Sequence, residues 1–239
     1  MRRFDAEDLT GAEFRECDLS GARLVGVVMQ NVEIDGLVTN LTVNGVEVMP
    51  YVEAELDRRH PERAKLRPTD ADGFREAWAV IERSWPPTVE RARRLPAERL
   101  HERVDGEWSF IETLRHLVFA TDAWVLRAVL GDPAPYHPLG LAHSEMPADT
   151  PAVPHDPDAR PSLDEILVVR ANRMAVVARV LHELADERLE EMTQPVLEPG
   201  YPESESFPVR RCLGAVMNEE WLHRGYAERD LTSLEQRSA

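Results

Sequence analysis

The sequence predicts a mainly α-helical protein: a four-helix bundle over residues 70–231, preceded by a short β segment over residues 1–50. Three observations carry that expectation. Four stretches place apolar residues at spacings of three and four, two helix starts are marked by capping boxes, and the first 40 residues repeat every five. Residues 51–69 read as a charged linker with a short helix, and residues 232–239 as a C-terminal tail.

The repeat runs through Phe4, Leu9, Phe14, Leu19, Leu24, Met29 and Ile34, with small residues such as Ala6, Gly11, Gly21 and Gly36 between them. Its register, as in Ala12-Glu13-Phe14 and Ala22-Arg23-Leu24, resembles the pentapeptide-repeat family over about residues 4–38. That resemblance implies a square right-handed β-helix with the central Leu or Phe inward. Seven repeats make fewer than two turns of such a coil and cannot bury their own ends, so the segment is expected to lean on the helical domain or on a second subunit, as in a homodimer. Asn44-Gly45 between Leu41-Thr42-Val43 and Val46-Glu47-Val48 is a strong hairpin signal.

The first bundle helix is expected over about residues 70–95, with Phe74, Trp78, Ile81, Trp85, Val89 and Ala92 as its stripe and a kink or break at Pro86 and Pro87. The second starts at Ser109, where Ser109 and Glu112 form a capping box, and stops at Gly131; the third starts at Ser162 with Glu165 three residues on. The fourth runs over about residues 206–230 with Pro208 in its first turn. Between the second and third helices lie 29 residues, 132–160, with seven prolines and His137, His143 and His155. Bundle helices are usually joined by about 2 to 8 residues, so this connection must cross the bundle or cover a site.

Composition narrows the function classes. The 28 basic side chains face 44 acidic ones, for a formal net charge of -16. Lys65 is the only lysine and the basic residues form no cluster, which argues against a nucleic-acid phosphate backbone as partner. The start lacks the apolar core of a secretory signal and the longest apolar runs are far short of a membrane span, so a cytoplasmic protein with no membrane partner is expected. Cys17 and Cys212 are expected to be free thiols.

In the fourth helix, Cys212, Val216, Glu219, His223 and Tyr226 recur at spacings of three and four, which puts a carboxylate and an imidazole one turn apart on an inward face. An ionised Glu buried without a partner costs several kcal/mol, roughly, and a metal ion removes that penalty. His116, in the middle of the second helix, is the candidate third ligand. The same residues also fit a hydrogen-bonded structural His and a solvated Glu–His pair. His137 and His143 in the long connection, and Arg170 and Tyr226 on inward-leaning helix positions, are candidate substrate contacts; Arg170 equally suits a salt bridge within the bundle. The tryptophans Trp78, Trp85, Trp108, Trp124 and Trp221 suit core or pocket wall, and Cys212 a small core residue.

Trp108-Ser109 followed by His116, the Pro-rich connection, and the run from Glu219 through Trp221 and His223 to Arg224-Gly225 resemble the DinB/YfiT family of metalloenzymes. The resemblance covers about residues 70–231 and implies an up-down-down-up four-helix bundle, with relatives described as mycothiol-dependent isomerases and S-transferases. The family's mark is one His on the second helix and an H-x-x-x-H pair on the fourth. His116 and His223 match it, whereas Glu219 stands where the first His of the pair is usual. Two His and one carboxylate suit zinc first, with nickel or iron as alternatives. The resemblance implies an enzyme that activates a low-molecular-weight thiol for S-transfer or isomerisation of a small-molecule substrate. A metal-dependent hydrolase and a non-catalytic interaction module are the competing expectations.

Overall fold

The computed structural model describes residues 3–15 and 17–237. The chain divides into two compact units, Met1–Pro50 and Tyr51–Ala239.

In the first unit the five-residue period is a period of backbone dihedrals. Positive φ recurs at Ala6, Gly11, Gly21, Gly26, Asn31 and Gly36, positions five or ten apart. These are corners where Gly and Asn are favoured because a Cβ crowds the left-handed region. At two of them the turn closes by hydrogen bonds from Ala12 N to Leu9 O (3.0 Å) and from Ala22 N to Leu19 O (2.9 Å). Asp8 and Asp18 brace those turns by accepting from Thr10 N and Ser20 N. The expected burial of the central Leu and Phe is not met: Phe14 is 56% and Leu24 62% exposed. A row this short has no neighbouring turns to close over it. A two-stranded hairpin follows, β1 (Thr42–Val43) and β2 (Val46–Glu47), antiparallel with Val43 opposite Val46. Asn44 and Gly45, with φ of 49° and 82°, make its primed turn.

The second unit is a four-helix bundle. Helix α1 (Met49–Arg59) and a 3-10 turn (Pro61–Leu66) lead into it, and the 3-10 turn packs on the first long helix, α2 (Ala71–Ala92). The others are α3 (Phe110–Thr121), α4 (Leu163–His182) and, after the single turn α5 (Asp186–Leu189), α6 (Val209–Gln236). Asp70 caps α2 by accepting from Gly73 N, and both expected capping boxes form, Ser109 with Glu112 and Ser162 with Glu165. Contrary to the expected break, α2 continues through Pro86 and Pro87. Both prolines and residues 82 and 83, whose carbonyls lose their amide partners, lie on the exposed face, where water can replace those bonds. Beyond Thr121, α3 widens into a π-helix over Asp122–Val129, an irregularity that hydrophobic periodicity does not foretell.

Helix directions follow from named contacts. Arg75 near the start of α2 donates to Leu181 O and Leu184 O at the end of α4, so α2 and α4 are antiparallel. Arg210 near the start of α6 reaches Thr69 O, and Arg91 near the end of α2 pairs with Glu235, so α2 and α6 run the same way. Arg99, in a 3-10 turn before α3, donates to Leu234 O at the end of α6, which makes α3 antiparallel to α6. The order is therefore up-down-down-up, and α3 and α4, packed side by side and parallel, need a connection that returns along the bundle's length. Residues 132–160 are that crossover. Among the described residues, no helix is long and apolar enough to cross a membrane.

Candidate metal centre

His116 sits mid-way along α3, on a helix whose residues are almost all buried. Glu219 and His223 project from α6 one turn apart, and because α3 packs directly on α6 the three side chains meet. His116 Nε2 lies 3.3 Å from Glu219 Oε2, and His223 Nε2 lies 2.9 Å from the same oxygen. Candidate ligand atoms of the three residues all fall within 4.8 Å of one another.

The other nitrogen of His116 faces the Leu141 carbonyl at 3.0 Å. Burial pushes the His116 imidazole below its ordinary value, against the pull of the Glu219 carboxylate. A neutral imidazole has one proton, yet this ring faces two acceptors, Leu141 O and Glu219 Oε2. Placing the proton on Nδ1 satisfies the carbonyl and leaves the Nε2 lone pair aimed at a carboxylate oxygen, an arrangement that a cation between them resolves. Nδ1–H donation to a backbone carbonyl is also how ligating histidines are commonly oriented. Two ligands on a tetrahedral zinc at about 2.0–2.1 Å stand roughly 3.4 Å apart, close to the separations found here. The donor set fits a divalent ion. Burial would raise the Glu219 carboxyl, but the flanking His116 and His223 imidazoles outweigh it and hold the group well below the usual carboxylate range.

Aromatic rings wall the cluster. Trp108 packs against both imidazoles, with centroids 4.5 Å from His116 and 5.7 Å from His223. Tyr226 presents its ring edgewise to His223 at 5.7 Å, and Phe119 lies 6.2 Å from His116. Tyr201 stacks on Phe119, and its phenol is raised by burial and by the negative charge of Glu219.

The four candidate substrate contacts fall in different places. Tyr226 borders the cluster, as above. His143 lies 5.2 Å from Tyr201, and its Nε2 is buried with no hydrogen-bond partner among the described residues. His137 is tied into the crossover: its backbone N–H donates to Asp122 and its Nδ1 accepts from Leu139 N. Arg170 makes a two-pronged salt bridge with Glu220, both side chains buried, and lies over the Trp85 ring at 4.7 Å. Phe119 lies three residues after His116 on α3, a helical spacing that could have found it, whereas Tyr201 carries no periodic signal: it follows Gly200 in a Pro-rich stretch remote in sequence from both site helices.

Fold and cluster together define a helical-bundle protein with a His–Glu–His group able to hold a metal ion. The chain belongs to the DinB superfamily, whose family model matches residues 81–227. A pentapeptide-repeat family model matches residues 7–36, ahead of the bundle. No curated protein matches the sequence.

Proposed function

We propose that the protein is a divalent-metal-dependent enzyme that activates a low-molecular-weight thiol, of mycothiol type, for S-transfer or isomerisation of a small electrophile. The observation that carries the metal is the convergence of His116 Nε2 and His223 Nε2 on one oxygen of Glu219, with His116 Nδ1 already committed to Leu141 O. The thiol rests on the resemblance to relatives that use one. Zinc is the first choice of ion for this donor set.

A bound ion would lower the pKa of a thiol or water held beside it, supplying a nucleophile near neutral pH. The chain's own residues do the rest. Leu141 O fixes the tautomer and angle of His116, and Trp108 holds both imidazoles by packing on them. Phe119 and Tyr201 give the substrate side an apolar wall that limits water. His143, whose buried Nε2 near Tyr201 has no hydrogen-bond partner among the described residues, is positioned to contact the substrate and to serve in proton transfer there.

Elemental analysis of purified protein, beside Glu219→Ala and His223→Ala variants, tests the reading. Near-stoichiometric zinc, nickel or iron that both variants lose is the expected result, together with turnover of an electrophile only when a thiol is present. No metal after reconstitution sinks the proposal; turnover without added thiol replaces it with a hydrolase.

A further inference from the structure

A second site lies on another flank of α6. A surface cavity of about 220 Å³ opens where the end of α1 and the following 3-10 turn meet α2 and α6, lined by Arg59, His60, Glu62, Ser84, Trp221 and Arg224. The one carboxylate among these lining residues, Glu62, already pairs with Arg83 outside the cavity. Arg59 pairs with Glu55 on its own helix at 2.8 Å.

Arg224 is less well served. Its Nε is buried with no hydrogen-bond partner among the described residues. Its contacts through Nη1 are long, 3.5 Å to Thr88 Oγ1 and 3.8 Å to Glu228, whose carboxylate is already engaged by Thr88 and Arg91. The hydrogen bonding of this guanidinium is incomplete, and because its side chain is 24% exposed, an anion at its exposed edge can add the close acceptor that the long Nη1 contacts lack. The guanidinium lies 5.5 Å from the Trp221 ring centroid, and His60 presents its ring edgewise to the same indole at 6.4 Å. The cavity thus combines a guanidinium fork short of acceptors, a second arginine, an imidazole and an aromatic face, in a chain whose net charge is -16.

We propose that this cavity binds a small molecule through an oxyanion group, a carboxylate or a phosphate, seated on Arg224 with its remaining atoms against Trp221. Fork-shaped guanidinium donors pair with both groups in two-pronged fashion. The inference does not depend on the metal, because neither Trp221 nor Arg224 belongs to the cluster on the inward face.

Isothermal titration calorimetry on the full chain, in a buffer free of carboxylate and phosphate, tests it with benzoate and inorganic phosphate as separate probes. Saturable binding of at least one probe with Kd on the order of 1 mM or tighter is expected, weakened about tenfold or more by Arg224→Gln. Benzoate binding alone identifies a carboxylate with an apolar body, phosphate binding alone a phosphate. Ser84→Leu, which fills the cavity from α2 without altering Arg224, should also abolish binding, and His116→Ala should leave it unchanged. No saturable heat with either probe overturns the proposal. So does equal affinity in Arg224→Gln and Ser84→Leu variants that keep the wild-type circular dichroism spectrum.

Discussion

The two units of the chain both carry apolar residues at regular spacing, and one leaves them in solvent while the other buries them. In the repeat segment Leu9, Phe14, Leu19, Leu24, Met29 and Ile34 are all exposed, whereas in the bundle Leu114, Ile166 and Leu231 are fully buried. The local rule is obeyed in both. Corners with positive φ recur in the repeat as regularly as helical turns do in the bundle. What differs is the partner: each bundle helix has two neighbours on which to lay its stripe, while a coil of a few short repeats has no second layer. Periodicity therefore predicts which side chains share a face, and burial depends on what that face meets.

Paired truncations break or sharpen the contrast most strongly. Leu114→Ala in α3 should lower the unfolding free energy by about 2–5 kcal/mol, as buried Leu truncations do. Leu24→Ala in the repeat should stay within about 0.5 kcal/mol, the range of ordinary surface changes. Urea denaturation followed by circular dichroism measures both. A loss above about 1 kcal/mol for Leu24→Ala would mean that the exposed row is covered in solution, as a homodimer would do.

The next largest effect concerns the crossover. Arg115, with no exposed surface, donates to Leu139 O, Asp156 O and Ala159 O, and its own carbonyl accepts from Leu141 N. One side chain therefore ties both ends of residues 139–159 to α3, and the same stretch supplies the carbonyl that orients His116. Arg115→Met should cost about 1–3 kcal/mol through carbonyls left without donors. It should also expose the crossover to limited proteolysis and weaken metal retention at His116. Unchanged cleavage within residues 132–160 would show that packing of Leu141, Ala142 and Met146 holds the segment without Arg115.

Much of the fold and of the site is legible in the sequence. The capping boxes at Ser109 and Ser162 mark true helix starts because both halves of each box lie within four residues of sequence. The spacing of four aligns Glu219 with His223, and the position of His116 on a helix facing α6 brings it to them. The expected end of α6, near residue 230, falls short: Leu231 and Leu234 continue the stripe and are buried in a helix that runs to Gln236. The π-helical stretch, the Leu141 carbonyl behind His116 and the Tyr201 wall depend on backbone hydrogen bonds or on segments far apart in sequence. The prolines of α2 do not split the helix, because the carbonyls they leave without amide partners face water.

The smallest effect sets the two cysteines side by side, one in each unit. Cys17 is exposed and Cys212 is fully buried among the bundle's side chains. Burial pushes the Cys212 thiol up from 9.0 to about 11, because a thiolate there would lose its hydration. With a thiol reagent at pH 8 the native protein should therefore titrate one group quickly and the second only in denaturant. The sign of the pH effect follows from the same shift. A folded-state pKa above the unfolded value means that the folded chain holds its proton longer, so this contribution is fully present below pH 9 and is lost as the pH rises through about 11. Cys212→Ala should flatten that alkaline loss and Cys17→Ser should leave it unchanged. Rapid modification of both thiols in the native state would mean that the start of α6 opens, and that the contrast between an uncovered repeat and a closed bundle is weaker than their burial implies.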